Sequence, residues 1–95
     1  MPHHPLWVAH RGASREHREN TLAAFSRALD LGADAIELDV RCAADGVVMV
    51  HHDADVVVDG IAIPIAATTA EALRAVDLGD GEHIPTLDEV CDLVG

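Results

Sequence analysis

Ala35-Ile36-Glu37-Leu38-Asp39-Val40-Arg41 alternates apolar and polar residues with period two, the pattern of a half-buried β-strand. Ile36, Leu38 and Val40 point one way; Glu37, Asp39 and Arg41 point the other. Two carboxylates two residues apart on one face repel, and each disfavours ionisation of the other. A cation between them removes that cost, and hard oxygen ligands suit Mg²⁺ or Ca²⁺. The competing reading is an exposed strand with a solvated polar face. The surroundings bear on the choice: Ala9-His10-Arg11-Gly12 precedes the stretch and His51-His52-Asp53 follows it.

Upstream, Leu6-Trp7-Val8-Ala9 is a short apolar run ending in His10-Arg11-Gly12, which predicts a strand over 6–10 with polar chemistry at its C-terminal end. His3 and His4 read as surface residues of the terminus. Ala13 to Glu19 has no steady periodicity and reads as a loop. Leu22, Phe25, Ala28 and Leu29 recur at helical spacing, which predicts a helix over 21–31. Asn20 is the expected cap and Gly32 the stop. Strand, helix and strand 35–41 in that order make a βαβ unit, with parallel strands and a right-handed crossover.

Downstream, Asp45-Gly46 marks a turn, and Val47-Val48-Met49-Val50 predicts a strand over 47–52. The connection is too short for a parallel crossover, so this strand should fold back as a hairpin and carry His52 toward Glu37 and Asp39. A second Asp-Gly, Asp59-Gly60, suggests a small hairpin or excursion within 56–63. Thr68 and Glu71 have the spacing of a capping box ahead of a short helix over 69–77, and Thr86 and Glu89 repeat that spacing ahead of a helix over 87–94.

The whole chain has 95 residues, enough for one small domain, and nearly half of them are apolar. Its net charge is −11, from 17 acids against six arginines and no lysine. An acidic surface argues against nucleic acid and against anionic membranes. Cys42 and Cys91 lack metal-binding spacing and read as small buried hydrophobes in a reducing compartment. No signal peptide is apparent, and no apolar run approaches the roughly 20 residues of a spanning helix. The expectation is a cytoplasmic location by default, without membrane insertion.

Two imidazoles near a metal can serve as general acid and general base. Arg11 with a cation could hold a phosphate, and the cation would neutralise charge growing on the phosphoryl oxygens. These are the parts that phosphodiester cleavage needs.

The ordered set His10-Arg11-Gly12, Glu19-Asn20-Thr21, Glu37-Leu38-Asp39-Val40, Asp45-Gly46 and His52-Asp53 resembles the glycerophosphodiester phosphodiesterase family. Ile84-Pro85-Thr86-Leu87-Asp88-Glu89-Val90 is similar to the family's approach to its next helix. The resemblance implies an α/β fold, the N-terminal portion of a TIM (β/α)₈ barrel of the phospholipase C-like phosphodiesterase type, incomplete as given, since such a barrel takes about 250 residues. It implies metal-dependent hydrolysis of glycerophosphodiesters to glycerol 3-phosphate and an alcohol. It implies His10 and His52 as the acid/base pair, Glu37 and Asp39 as ligands of Ca²⁺ or Mg²⁺, Arg11 on the substrate phosphate and Glu19 lining the site. Because adjacent strand residues face opposite ways, only one of His51 and His52 should face the metal, and the family's His-Asp pair selects His52.

The chain departs from the family's pattern in two places. After His52-Asp53 it carries Ala54-Asp55-Val56-Val57-Val58 where Arg and Thr are common. The family's third metal carboxylate, on the strand after the helix that begins near Thr86, is not in this sequence. Two other readings stay open: a different TIM-barrel phosphodiesterase, phospholipase-like or sphingomyelinase-like, and a truncated chain that binds a cation or partner without turnover.

Overall fold

Val8, Ala9 and His10 pair in parallel register with Ala35, Ile36 and Glu37, and that short ladder brings the His10-Arg11-Gly12 corner beside the acidic stretch. The structure is a computed structural model that describes residues 7–12 and 16–95. Leu6, the N-terminal histidines His3 and His4, and residues 13–15 of the expected loop lie outside the described residues.

Strand β1 is Val8–His10 and helix α1 is Leu22–Asp30, followed by β2 at Ala35–Glu37. The helix forms where the sequence has apolar residues at helical spacing, and it buries Ala24, Phe25 and Ala28. Its cap is Thr21, whose side chain accepts from the Ala24 N–H. Asn20, expected as the cap, is instead left-handed at φ 56° and turns its side chain away toward Asp39. The helix ends at Gly32, where φ is +87° and the Ala33 N–H reaches back to the Ala28 carbonyl.

The expected continuous strand over 35–41 is broken. β2 stops at Glu37, and β3 starts at Val40 and runs to Cys42. The physical reason is a change of partner: β2 pairs in parallel with β1, whereas β3 pairs antiparallel with β4, Val48–Val50. Leu38 and Asp39 are the joint between two ladders. The β3–β4 hairpin turns through Asp45-Gly46, with Val40 opposite Val50 and Cys42 opposite Val48.

Met49 and Val50 are adjacent yet both fully buried, because β4 lies between two apolar clusters. Val50 packs with Phe25 and Val90, supported by Leu22, Ile36, Leu38 and Leu87. Met49 packs with Val56, Ile65, Leu73 and Ile84. This second cluster is roofed by the hairpin β5 (Asp55–Val58) and β6 (Ile61–Pro64) and by helix α2 (Ala70–Arg74). Asp59 and Gly60 both take positive φ, which gives the two-residue turn the twist that a hairpin needs.

Helix α2 is capped by Thr69, which accepts from Ala72 N–H, and not by a Thr68–Glu71 box. Thr68 is occupied elsewhere, donating its hydroxyl to the Pro64 carbonyl. Helix α3, Leu87–Val94, does have its reciprocal box between Thr86 and Glu89. Cys42 and Cys91 are both exposed, against the expectation of buried thiols. Cys42 sits on β3, whose three residues are all exposed. Cys91 lines an apolar groove of about 370 Å³ between α1, α3 and β2. Among the described residues, no helix is long and apolar enough to cross a membrane.

Candidate active site

His10 and Glu37 are register partners at the C-terminal ends of β1 and β2. Their side chains meet, His10 Nε2 lying 3.0 Å from Glu37 Oε1. The C-terminal edge of parallel strands is where α/β folds place their chemistry, because the loops that leave it converge there.

The chain turns sharply after His10. Arg11 and Gly12 both have positive φ, 58° and 82°. Gly12 is required at this corner, since a Cβ there would lie 2.7 Å from the Ala24 carbonyl carbon of α1. The turn throws the Arg11 guanidinium between two acids. Nη1 lies 3.2 Å from Glu19 Oε2, and Nε lies 2.9 Å from Asp39 Oδ2. The second contact is an ion pair without an aligned hydrogen bond, so the buried Nε–H has no acceptor along its axis.

Asp39, at the joint between the two ladders, is held on several sides. Asn20 Nδ2 donates to Asp39 Oδ2 at 3.0 Å. The Asn20 hydrogen bond is the largest of the influences that hold the Asp39 carboxyl below its ordinary range; partial desolvation opposes it, and the nearby charges of Arg11 and His52 reinforce it. The Asp39 carbonyl accepts from the His51 N–H at 2.9 Å, which ties the end of β4 to the same point.

The β4 strand ends at Val50, so strict alternation does not continue through His51 and His52. As a result both histidines line one cavity of about 350 Å³, together with Arg18, Glu19, Asn20 and Asp53. Lining one cavity is a separate matter from the expectation that only one of them faces a metal. His51 is half-buried, and desolvation lowers its pKa. His52 is exposed, and its Nδ1 lies 2.9 Å from Asp53 Oδ1. Arg41 holds the His52 carbonyl with two donors, at 3.2 and 2.8 Å.

The structure therefore draws His10, Arg11, Glu19, Glu37, Asp39 and His52 to one edge of the fold. Sequence reasoning missed Asn20 and Arg41 as supports of that edge. Asn20 gave the ordinary signal of a helix cap, and Arg41 looked like one more polar residue of a strand. His17 and His83, read as loop residues without a role, lie elsewhere, and His83 pairs with Glu89 at 3.1 Å.

As a metal site the donors fit in kind: Glu37 and Asp39 offer hard carboxylate oxygens. Each has drawn a hydrogen-bonding or cationic neighbour, His10 for one and Arg11 for the other. Among the described residues, no three His, Cys, Asp or Glu side chains are grouped so as to hold a metal ion. Glu37 and Asp39 would need further donors to hold one.

Comparison with known proteins points the same way. The profile of the Glycerophosphoryl diester phosphodiesterase family matches residues 10–94. A glycerophosphodiester phosphodiesterase from Caldanaerobacter subterraneus is 44% identical over 99 residues, covering 95% of this chain and 40% of the relative. The crystal structure of the glycerophosphodiester phosphodiesterase from Thermotoga maritima superposes with a TM-score of 0.84 at 43% identity, over 99% of this chain and 41% of that one. A phosphodiesterase from Oleispira antarctica, in complex with the product sn-glycerol-3-phosphate, superposes with a TM-score of 0.86 at 32% identity, over 95% of this chain and 40% of that one. The chain thus spans about 40% of the length of these relatives.

Proposed function

This chain belongs to the glycerophosphoryl diester phosphodiesterase family, and from that premise we propose that it supplies the N-terminal portion of a TIM-barrel enzyme that hydrolyses glycerophosphodiesters to glycerol 3-phosphate and an alcohol. The observation that carries the proposal is the meeting of His10 and Glu37 across two parallel strands, at the edge where Asp39 and the His52 loop also arrive.

In this reading Glu37 and Asp39 hold a divalent cation, Ca²⁺ or Mg²⁺, with further ligands from outside this sequence. Bound there, it would polarise the phosphoryl oxygens and neutralise the charge that develops on them. Arg11 contributes positive charge on the phosphate side, its guanidinium oriented by Glu19 and Asp39. His10 and His52 move the protons. The contact between His52 Nδ1 and Asp53 favours a proton on Nδ1, which leaves Nε2 to accept one from the attacking hydroxyl. His10 is braced through Nε2 by Glu37, and it serves the opposite transfer. The oxygen-rich, partly enclosed cavity beside His52 accommodates a small polar substrate.

The direct test is release of glycerol 3-phosphate from glycerophosphocholine by the intact protein. The reading expects turnover that a chelator stops and Ca²⁺ or Mg²⁺ restores. Activity on sphingomyelin or lysophospholipid with none on glycerophosphocholine would move the assignment to another phosphodiesterase of the same barrel type.

A further inference from the structure

We infer that Asn20 is a positioning residue for the Asp39 carboxylate, and through it for a divalent cation at that site; the inference rests on the metal role proposed above for Glu37 and Asp39. Asn20 stands at the start of α1 in the place of a helix cap, but Thr21 does the capping. Asn20 is instead buried, at 2% exposure, in a left-handed conformation with φ 56°. That backbone region is unfavourable for residues with side chains, and Asn is among the few that tolerate it. A buried, polar, left-handed residue persists only where its surroundings hold it there.

What holds it is the site. Its own N–H donates to the Arg11 carbonyl at 2.9 Å. Both ends of its amide address one residue: Nδ2 donates to Asp39 Oδ2 at 3.0 Å, and Oδ1 lies 3.5 Å from the Asp39 N–H, at the outer limit of a hydrogen bond. Arg11 Nε approaches the same Asp39 Oδ2 at 2.9 Å. Both side-chain contacts thus fall on Oδ2, and together they fix the plane of the carboxylate and the direction of Oδ1. Asp39 lies in the joint between β2 and β3, where the His51 N–H holds its carbonyl and these side-chain contacts place its carboxylate. A ligand on an irregular joint loses affinity to its own freedom unless a neighbour orients it.

Titration calorimetry of the intact protein with Mg²⁺ and with Ca²⁺, in the absence of substrate, tests this. Asn20→Gly keeps the left-handed corner accessible and removes only the amide clamp. The expected result is a metal affinity about 10- to 100-fold weaker, the usual cost of losing a group that orients a ligand. Thr69→Ala, a capping loss on α2 beside the Asp45 turn at the opposite end of the hairpin from His51 and His52, is the matched destabilised control and should leave the affinity unchanged. Should Asn20→Gly fail to fold, Asn20→Ser is measured instead, its hydroxyl too short to span to Asp39, with the same weakening expected. A folded Asn20 variant with wild-type affinity, while Glu37→Gln loses binding, overturns the positioning role alone. Wild-type protein that binds neither ion, or that binds equally well as Glu37→Gln, overturns the metal assignment and this inference with it.

Discussion

His10 and His52 are each braced by a carboxylate, and that shared setting decides what substituting either should do. Both side chains are about half exposed, and each leans on a carboxylate, Glu37 for His10 and Asp53 for His52. Removing either ring leaves little unsatisfied inside the protein. His10→Ala and His52→Ala are therefore expected to lower glycerophosphocholine hydrolysis by about 10²- to 10⁴-fold, the range for loss of a general acid or base, with a melting temperature close to wild type in the same preparations. Activity within a few-fold of wild type in either variant would remove that histidine from the proton-transfer scheme. His51 is a useful contrast. It lines the same cavity and is half-buried, with its pKa lowered by desolvation. The sequence offered His51 and His52 as alternatives because it treated them as continuing a strand. The strand stops at Val50, and nothing in the local pattern marks that stop.

Among the elements, what could be read locally was read more accurately than what depends on a distant partner. Thr86 and Glu89 satisfy each other within three residues, so the box is visible in four letters of sequence. The break at Leu38-Asp39 is not visible in that way, because it arises where the chain leaves its distant parallel partner β1 for the adjacent antiparallel partner β4. Asn20 and Thr68 were misread for a related reason. Each is a good cap by type, and each has been drawn to a different acceptor or donor, Asp39 and Pro64.

Two predictions belong at this scale. Gly12→Ala meets the Ala24 backbone at 2.7 to 2.8 Å as well as carrying φ +82°, whereas Gly46→Ala has a similar φ of +83° and nothing within 4 Å. Urea unfolding of the intact protein should show about 1–2 kcal/mol lost for Gly46→Ala, the cost of a left-handed alanine, and clearly more for Gly12→Ala. Equal losses would mean that helix α1 does not press on the corner. The second prediction concerns Glu89. Partial desolvation is the largest single influence on it and pushes its carboxyl up, but hydrogen bonds from Arg74, the Thr86 backbone and His83 outweigh that push and bring the pKa down from 4.5 to about 2. A carboxylate depressed in the folded state contributes stability that is present above its unfolded pKa and is lost as pH falls toward the folded value. Stability of the intact protein should therefore decline between about pH 4.5 and 2 with a contribution that Glu89→Gln removes. A variant with an unchanged acid profile would show that the Arg74–Glu89–His83 cluster has no net effect.

At the scale of the whole molecule, the extents are 51 × 25 × 19 Å and the radius of gyration is 14.2 Å. A compact domain of this length would have a radius of about 12 Å. The accessible surface is 5916 Å², against about 5300 Å² expected for a folded monomer of this mass. The excess includes exposed apolar residues such as Val8, Val40, Val57 and Ile61. Among the described residues the strands form three separate pairs, and two-stranded units are marginal by themselves. The 95-residue chain expressed alone is accordingly expected to unfold over a broad denaturant range and to bind a hydrophobic dye, and a sharp two-state transition without dye binding would contradict that. The βαβ order was legible from periodicity because it needs only local patterns. The separation into pairs was not, since it depends on which neighbours each strand finds.

Glu37 and Asp39 are proposed to hold a divalent ion on which hydrolysis depends. The decisive measurement is the rate of glycerol 3-phosphate release by the intact protein as a function of added Mg²⁺ or Ca²⁺ after chelation, for wild type and Glu37→Gln. A saturable curve is expected for wild type and, for the variant, a requirement for at least about tenfold more metal together with a lower maximal rate. Superimposable curves, or a wild-type rate that chelation leaves intact, would contradict that proposal.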